Sequence, residues 1–557
     1  KKLASPAHHQ TEMPPKKKSK TSSASDAPSS STIAKLSHTL SLPEAEVSAM
    51  IASRGASGPP STSSRRGRKD PAEEEKEQST GVKDCGAWAD FMDDEGAEVG
   101  VSNIDSAPPP AAASNSAGDG SYIPVASDYD ESSALSGFVV QTGTLDWPTV
   151  GRTRRAASDT HPLDLASPHA LVPSLFGAVR VRMVATSCTS CHCFAVSTEG
   201  ALYGWGRNEA SQLGLPPSPS VATPVALSGP WGTAPVQSVA TGKSHSILVT
   251  PTAAYATGSN TYGQLSLGSS AAESAEWRKC KSSGADGPLV KVACGESFTV
   301  ALDATGTLLT CGLSEFGQLG NGETGEYFVT ASKIAFQNCD RLTARTVFVR
   351  KDASAKDSEP PTNIIGPVKL SSIACGKNHT VAVEAGRSGP STRRVFTWGA
   401  GNYGCLGHRA QKDSYLPRLV STLEGPQFGP GSAPVSCAAG ATCTVVVTEQ
   451  GHGYYWGKHK VSGEAQMYPI LLDFLANNDH ILSTADCGTG HVAFCTAASQ
   501  TVTYGSGPYG ELGFGKTGPK SSSQPKFVEA MDGADAGMVK CGYGTTLFLV
   551  GGELEEW

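Results

Sequence analysis

The feature that most constrains this chain is a short motif that recurs seven times from residue 137 onward. Each copy has two apolar residues, a glycine, about five variable positions, and then a polar residue, leucine and glycine. The copy at residues 454–457 lacks its second half and the copy at 138–151 is divergent; the others span 202–214, 255–265, 309–320, 396–407 and 502–513. A repeat every roughly 50 residues, made of short strands and glycine turns, is typical of β-propeller blades.

A second motif, called the anchor motif here, precedes most copies at a similar distance. It consists of a small residue or cysteine, a glycine, two polar positions and often a histidine, as at His245, His379 and His491. The alternating apolar residues that follow predict strands with one buried face. Because the histidines recur in register, we expect them to bond backbone atoms within their own blades and not to act in catalysis.

The two ends of the repeat region complement each other. Residues 546–550 form an apolar strand that lacks the strand expected after it, and the first copy begins with that strand at 138–142. Pairing these segments would complete the seventh blade and leave no open sheet edge. The sequence therefore predicts an all-β fold, a seven-bladed β-propeller over residues 137–557 with N- to C-terminal strand closure.

Residues 1–136 have a different composition, dominated by Ser, Pro, Ala, Gly and charged residues. Residues 1–70 carry 12 basic and 5 acidic side chains, whereas residues 71–136 carry 2 basic and 15 acidic ones. Such a segment cannot bury enough apolar surface to offset its chain entropy, so we predict a disordered tail. Within it, residues 85–96 resemble a short docking motif or carry chance aromatics. Met13 suggests a natural start, with residues 1–12 upstream of it.

The tail contains two compact basic clusters, formed by Lys16, Lys17, Lys18 and Lys20 and by Arg65, Arg66, Arg68 and Lys69. Such clusters serve as nuclear-import signals or contact phosphate-rich partners through counterion release. Alternatively, they only keep the tail soluble. A serine-rich basic start also resembles an organellar transit segment, although Glu12 and the acidic stretch argue against that interpretation.

The repeats resemble those of the regulator of chromosome condensation family, whose members form seven-bladed propellers. Residues 205–209, 375–380, 403–407 and 510–513 resemble its mitotic chromatin- and centromere-associated branch. That resemblance implies a basic tail, a hairpin inserted in mid-propeller, binding to microtubules and action on small GTPases of the Ral and Rac types. Propellers host many functions, so the resemblance specifies the fold better than the activity.

The expected insertion is visible in the spacing. Gly312 and Gly399 are much further apart than the corresponding glycines of other neighbouring copies, and most of the excess lies around residues 327–366. We predict a protruding hairpin that wedges into a GTPase nucleotide site, with Arg345, Phe348, Arg350 and Lys351 as partner-binding residues. On this hypothesis, deletion of residues 345–361 abolishes nucleotide exchange and leaves thermal unfolding nearly unchanged. The alternative is a solvent-exposed excursion without a partner.

Two motifs imitate catalytic or cofactor sites. Residues 510–517 have P-loop spacing, but Gly518 and Pro519 follow where a phosphate-binding helix must begin. Residues 188–192 have haem-attachment spacing, yet no second Cys/His cluster accompanies them and they coincide with an anchor motif. We therefore expect no catalytic residue, no cofactor and no metal. The sequence also has no apolar run as long as a bilayer-crossing helix, so we predict that the chain does not span a membrane.

Taken together, the sequence predicts an interaction protein located in the nucleus or on chromatin, including the centromere or spindle in mitosis. Its propeller is expected to engage a small GTPase of the Ras superfamily, with guanine-nucleotide exchange as the candidate activity. Chromatin or microtubules are the partners expected for the basic tail. The alternative is a non-catalytic scaffold subunit of a cytoskeletal or organellar assembly in the cytoplasm or an organelle.

Overall fold

A computed structural model describes residues 122, 136–152, 161–268, 271–322, 329–330, 333–334, 341–344, 347–350, 364–386, 392–459 and 463–552. They form seven mainly antiparallel sheets arranged as blades around a common axis, which confirms the predicted propeller. The first strands of the blades line the axis, each beside the first strands of its neighbours. These strands are β3 (Val181–Ala185), β7 (Ser238–Thr241), β12 (Leu289–Cys294), β20 (Leu370–Cys375), β24 (Pro434–Ala439), β28 (Leu482–Cys487) and β32 (Ala536–Cys541).

The second and third strands of blades 1 to 6 follow outward in chain order, and the fourth strand does so in every one of these blades except blade 3, whose outer part comes from the insertion. The incomplete motif copy at residues 454–457 still forms a full blade, blade 5. The strands are β4 (His192–Ser197), β5 (Leu202–Asn208), β6 (Ser218–Leu227), β8 (His245–Val249), β9 (Ala254–Ser259), β10 (Glu273–Lys279), β13 (Phe298–Asp303), β14 (Leu308–Gly312), β21 (His379–Glu384), β22 (Val395–Gly399), β23 (Ser414–Leu419), β25 (Cys443–Thr448), β26 (Gly453–Gly457), β27 (Gln466–Leu471), β29 (His491–Thr496), β30 (Thr501–Ser506) and β31 (Ser521–Phe527).

Blade 7 is assembled from both ends of the repeat region, as the sequence predicts. Its strand order is β2 (Asp164–Ala170), β1 (Phe138–Thr144), β33 (Thr545–Val550) and β32. The antiparallel pairing of β1 with β33 is continuous, from Phe138 opposite Val550 to Gly143 opposite Thr545. Val139 and Val140 are fully buried, so this closure has a hydrophobic core as well as a hydrogen-bond ladder.

The repeated motif has a local physical cause. In blade 1, Gly206 has φ of +104°, and an added Cβ would lie 2.6 Å from the backbone of the preceding anchor segment. Only glycine fits such a position. The polar residue before Leu-Gly closes the turn with its side chain, since Gln212 Oε1 accepts the Ala210 N–H at 3.0 Å. Gln264, Gln318 and Glu511 accept the corresponding N–H groups at 2.7–2.8 Å.

The insertion does not stand apart from the ring. Its strand β17 (Leu342–Thr343) pairs with β14 and with β11 (Ser282–Ser283), so it supplies the outer part of blade 3. Strand β18 (Phe348–Val349) then adds to the edge of blade 4, parallel to β23, and pairs with β19 (Ile364–Ile365). A separate two-stranded ribbon consists of β15 (Val329–Thr330) and β16 (Lys333–Ile334).

Helical structure among the described residues is confined to short connecting segments. Five 3₁₀ helices are present, at Pro173–Phe176, Asn402–Gly404, Ser421–Leu423, Pro426–Phe428 and Glu529–Met531. A single turn of α-helix, α1 (Asp473–Ala476), joins blades 5 and 6. No helix in this part of the chain is long and apolar enough to cross a membrane.

The closure makes a prediction about stability. Val140 is 0% exposed in β1, so Val140→Asp places an unpaired charge in the core and should cost at least about 3 kcal/mol. Urea unfolding followed by tryptophan fluorescence measures the loss. Ile481→Asp is the matched control, because Ile481 is 53% exposed and the same replacement there should change little. Equal losses in the two variants would contradict the closure.

Candidate functional site

The strand order of the blades defines two faces of the ring. The loops between first and second strands and between third and fourth strands lie on one side, called the anchor face because it carries the anchor motifs. The turns between second and third strands and the connections between blades lie on the other side, called the connector face. This assignment follows from antiparallel order alone, since successive strands run in opposite directions.

The anchor histidines link neighbouring blades through hydroxyl groups. In each case Nε2 lies within hydrogen-bond distance of a Ser or Thr hydroxyl from the next blade. The pairs are His192 with Ser246 at 2.7 Å, His245 with Thr299 at 3.1 Å, His379 with Thr444 at 3.0 Å, and His491 with Thr546 at 2.9 Å. The expectation that these histidines bond backbone within their own blades is therefore wrong. Each hydroxyl belongs to the residue that follows the anchor position of its own blade, which is His245 in blade 2, Phe298 in blade 3, Cys443 in blade 5 and Thr545 in blade 7.

The hydroxyl groups determine which ring nitrogen carries the proton. Thr444 donates its own proton to the Cys405 carbonyl at 2.8 Å, and Ser246 donates to the Gln212 carbonyl at 2.7 Å. Each hydroxyl must therefore accept a hydrogen bond from histidine, so Nε2 is protonated in a neutral ring. Burial lowers the pKa of His245 and His379 to about 4 and that of His192 and His491 to about 3. These imidazoles are structural links with no access to solvent.

The anchor face also carries an ionic cluster near the axis. Glu296 of blade 3 lies between lysines of the two adjacent blades, 2.8 Å from Lys243 Nζ and 3.6 Å from Lys377 Nζ. The same loops share backbone bonds from Lys243 N to Glu296 O and from Glu296 N to Lys377 O. Both lysines remain partly exposed, so the cluster presents a net positive charge. Sequence analysis missed it because the three residues are brought together only by the packing of three consecutive blades.

The predicted insertion residues are placed differently from the expectation. The Phe348 ring is 6% exposed and packs edge-on against Phe396, with ring centroids 4.8 Å apart. The neighbouring Val349 is fully buried, so the two-sided alternation expected for a free hairpin is absent from these two residues. Pairing of β18 with β23 explains this burial, since it places both side chains against blade 4. The proposal of Phe348 as an exposed partner contact is corrected accordingly.

Arg350 is the predicted residue that the structure leaves accessible. It follows β18, which runs parallel to the fourth strand of blade 4, so it lies on the connector face. Its guanidinium is 2.6 Å from the Glu424 carboxylate, and its side chain is 56% exposed. Arg345, Lys351 and the eight basic tail residues lie outside the described residues. Arg350 and the ionic cluster thus lie on opposite faces of the ring.

The motifs with P-loop spacing (residues 510–517) and haem-attachment spacing (residues 188–192) both have structural roles. Glu511, within the P-loop-like segment, is buried in the turn described above, and strand β31 follows without an intervening helix. Cys188 and Cys191 are buried, and burial raises the pKa of both thiols. No group of three or more potential metal ligands occurs among the described residues. The cysteines in this part of the chain all have free thiols.

A family model for the Regulator of chromosome condensation (RCC1) repeat matches residues 199–249, 253–302, 305–383 and 394–447. Human Protein RCC2 is 33% identical over 434 residues, covering 76% of this chain and 78% of the relative. A mouse Secretion-regulating guanine nucleotide exchange factor is 29% identical, covering 58% of this chain and 63% of the relative. The solved structure of Prp20p from Saccharomyces cerevisiae superimposes with a TM-score of 0.57 at 18% identity, covering 76% of this chain and 93% of Prp20p.

The histidine links predict a specific dependence of stability on pH. The pKa of His379 is about 4 in the folded chain and about 6.5 in an unfolded one, so the unfolded state binds more protons between these values. The free energy of unfolding should therefore fall as pH falls from about 6.5 to about 4. His379→Gln should remove the proton that His379 takes up on unfolding. The slope of the unfolding free energy against pH should therefore decrease by about 1.4 kcal/mol per pH unit. Urea unfolding at several pH values measures it.

The matched control is Thr444→Val, which removes the hydroxyl and keeps the buried imidazole. Both variants should lose about 1–3 kcal/mol at pH 7.5, because each breaks the same buried hydrogen bond. The control should retain the pH slope of the unmodified chain. An unchanged slope in His379→Gln would show that His379 is not held neutral.

Proposed function

The chain belongs to the regulator of chromosome condensation (RCC1) repeat family, in the branch of Protein RCC2, and we propose that its propeller engages a small GTPase. The mouse relative is called a guanine nucleotide exchange factor, and Prp20p is described as binding Gsp1p and histones. These descriptions support a chromatin- or mitosis-associated interaction protein with exchange as its activity. The relationship to Protein RCC2 carries the proposal, since it extends over three quarters of the chain.

Exchange requires no covalent chemistry from the propeller. A protein that binds the nucleotide-free GTPase more tightly than the loaded one shifts the population toward the empty state. This differential binding needs a surface that holds its shape, so that the GTPase and not the propeller deforms. The blade-to-blade hydrogen bonds and the closed ring supply such a surface.

We place the contact at the insertion on blade 4. Phe348 lies in the hydrophobic core, and Val349 pairs with Ile364 across the insertion. Strands β18 and β19, on either side of residues 351–363, are therefore held next to each other at the edge of blade 4. Arg350, next to this position, carries an exposed positive charge that suits acidic or phosphate groups. Arg345 and Lys351 lie outside the described residues, and their proposed role is to add positive charge to the same contact.

Because Phe348 is buried, deletion of residues 345–361 would not test the proposed GTPase contact alone. A deletion that starts at residue 345 removes two core side chains, and loss of a buried phenylalanine ring alone costs roughly 3–5 kcal/mol. Such a deletion would destabilise blade 4 as well as remove the contact. Deletion of residues 351–361 leaves β18 and β19 in place and is therefore the informative change.

The exchange prediction uses the full chain and a panel of Ras-superfamily GTPases loaded with fluorescent GDP. One GTPase should release GDP at least tenfold faster in the presence of the chain, and deletion of residues 351–361 should abolish that gain. Arg350→Glu should reduce it strongly. Glu424→Gln is the matched control, because it breaks the same surface ion pair, worth at most about 1 kcal/mol, and keeps Arg350.

Other outcomes assign the activity elsewhere. Full exchange by the 351–361 deletion would remove the insertion from the mechanism. Loss of exchange in Lys243→Glu/Lys377→Glu, with Arg350→Glu unaffected, would place the contact on the anchor face. Binding of a GTPase without faster GDP release, for every GTPase tested, would favour the scaffold function.

We propose that the basic tail directs the chain to the nucleus and contacts chromatin or microtubules. Replacement of Lys16, Lys17, Lys18, Lys20, Arg65, Arg66, Arg68 and Lys69 by alanine should abolish nuclear accumulation of a fluorescent fusion. The physical reason is the loss of clustered charge for import receptors and phosphate groups. Replacing an equal number of acidic residues between 73 and 98 by alanine is the control and should preserve accumulation. Retained accumulation in the basic variant would contradict the proposal.

A further inference from the structure

Tyr122 is the residue before position 136 that the structure describes, and its side chain contacts the connector face of blade 4. Its hydroxyl lies 3.1 Å from the Pro367 carbonyl and 3.0 Å from Glu384 Oε1. The backbone at residue 122 also takes part in an isolated β-bridge. Tyr122 precedes Ser136, where the propeller region begins, so it fixes the chain to the ring well ahead of the first blade strand.

The acceptor at this contact is a buried carboxylate that is paired with an arginine. The side chain of Glu384 is 3% exposed and forms two hydrogen bonds of 2.6 Å with the Arg394 guanidinium. Burial lowers the pKa of Arg394, but hydrogen bonding to Glu384 and its charge outweigh that effect and raise it. The guanidinium is thus already committed to Glu384 in a bidentate pair. The neutral Tyr122 hydroxyl suits this site because it donates a hydrogen bond to the negatively charged Glu384 carboxylate.

We propose that Tyr122 is a tyrosine phosphorylation site and that its phosphorylation releases this segment from the propeller. A protein tyrosine kinase would transfer the γ-phosphoryl group of ATP to the phenolic oxygen. The new oxygen–phosphorus bond replaces the bond between the β- and γ-phosphates, ADP leaves, and the phenolic proton passes to a base of the kinase. The chemistry needs only MgATP and the kinase.

The contact is incompatible with the product for two reasons. The phosphate ester has lost the hydroxyl proton that bonds to Pro367 and Glu384. It also carries a charge of about −1.5 to −2 near pH 7, placed within hydrogen-bond distance of the Glu384 carboxylate. The Arg394 guanidinium beside it is already bonded to both oxygens of Glu384. Phosphorylation therefore removes an attraction and adds a like-charge repulsion.

The test uses the full chain, a broad-specificity tyrosine kinase with MgATP, and hydrogen–deuterium exchange read by mass spectrometry. Tyr129→Phe removes the neighbouring acceptor, and the same mass spectra measure the phosphorylated fraction of Tyr122 itself. Tyr122→Phe is the matched control that leaves Tyr129 and the other tyrosines in place. Phosphorylation of Tyr122 should speed amide exchange in peptides containing residue 122 at least tenfold. Tyr122→Phe without kinase should show a smaller increase, because it loses only the hydroxyl bonds.

Three results would overturn the proposal. One is unchanged protection around residue 122 after stoichiometric phosphorylation of Tyr122. The second is failure of the kinase to modify Tyr122 in the folded chain under conditions in which it modifies a synthetic peptide of residues 115–130. The third is an equal acceleration of exchange on phosphorylation of Tyr129 in the Tyr122→Phe variant, because it would show a general effect of added charge; no further acceleration is expected there.

Discussion

Ring closure by β1 and β33 is the constraint on which the other features of this protein depend. Six blades are built from consecutive stretches of chain, but the seventh joins the two ends of the repeat region through a continuous antiparallel ladder and fully buried valines. The histidine–hydroxyl bonds act between blades in the same way. Each connects a buried imidazole of one blade to a hydroxyl of the next, and together they join blades 1 and 2, 2 and 3, 4 and 5, and 6 and 7. Stability is therefore a property of the closed ring.

A rigid ring of this kind organises function by placing surface groups at fixed positions. The anchor face gathers Lys243, Glu296 and Lys377 from three blades, and the connector face carries the Arg350–Glu424 pair beside the insertion. Most conspicuously polar residues of the interior, including the anchor histidines and cysteines, are structural. We assign the interaction chemistry to loops and to the insertion, as is common for loops on rigid scaffolds.

Three features meet at blade 4. Strand β18 of the insertion lies on its outer edge, the buried Glu384–Arg394 pair lies at its connector face, and Tyr122 contacts Glu384 there. The insertion and the segment before the propeller thus meet the ring within one sector. Their proximity gives a physical route by which a modification of the tail can alter the surroundings of the proposed GTPase contact.

The sequence by itself determined the blade count, the turn glycines, the closing strands and the structural nature of the P-loop-like segment, because these follow from local spacing and strand periodicity. It did not determine the partners of His379 or the burial of Phe348, since both depend on which strand or hydroxyl a neighbouring blade places nearby. The Lys243–Glu296–Lys377 cluster and the Tyr122 contact likewise join residues that are distant in sequence. Such contacts are decided only by tertiary packing, because periodicity describes a strand's own faces and carries no information about what packs against them.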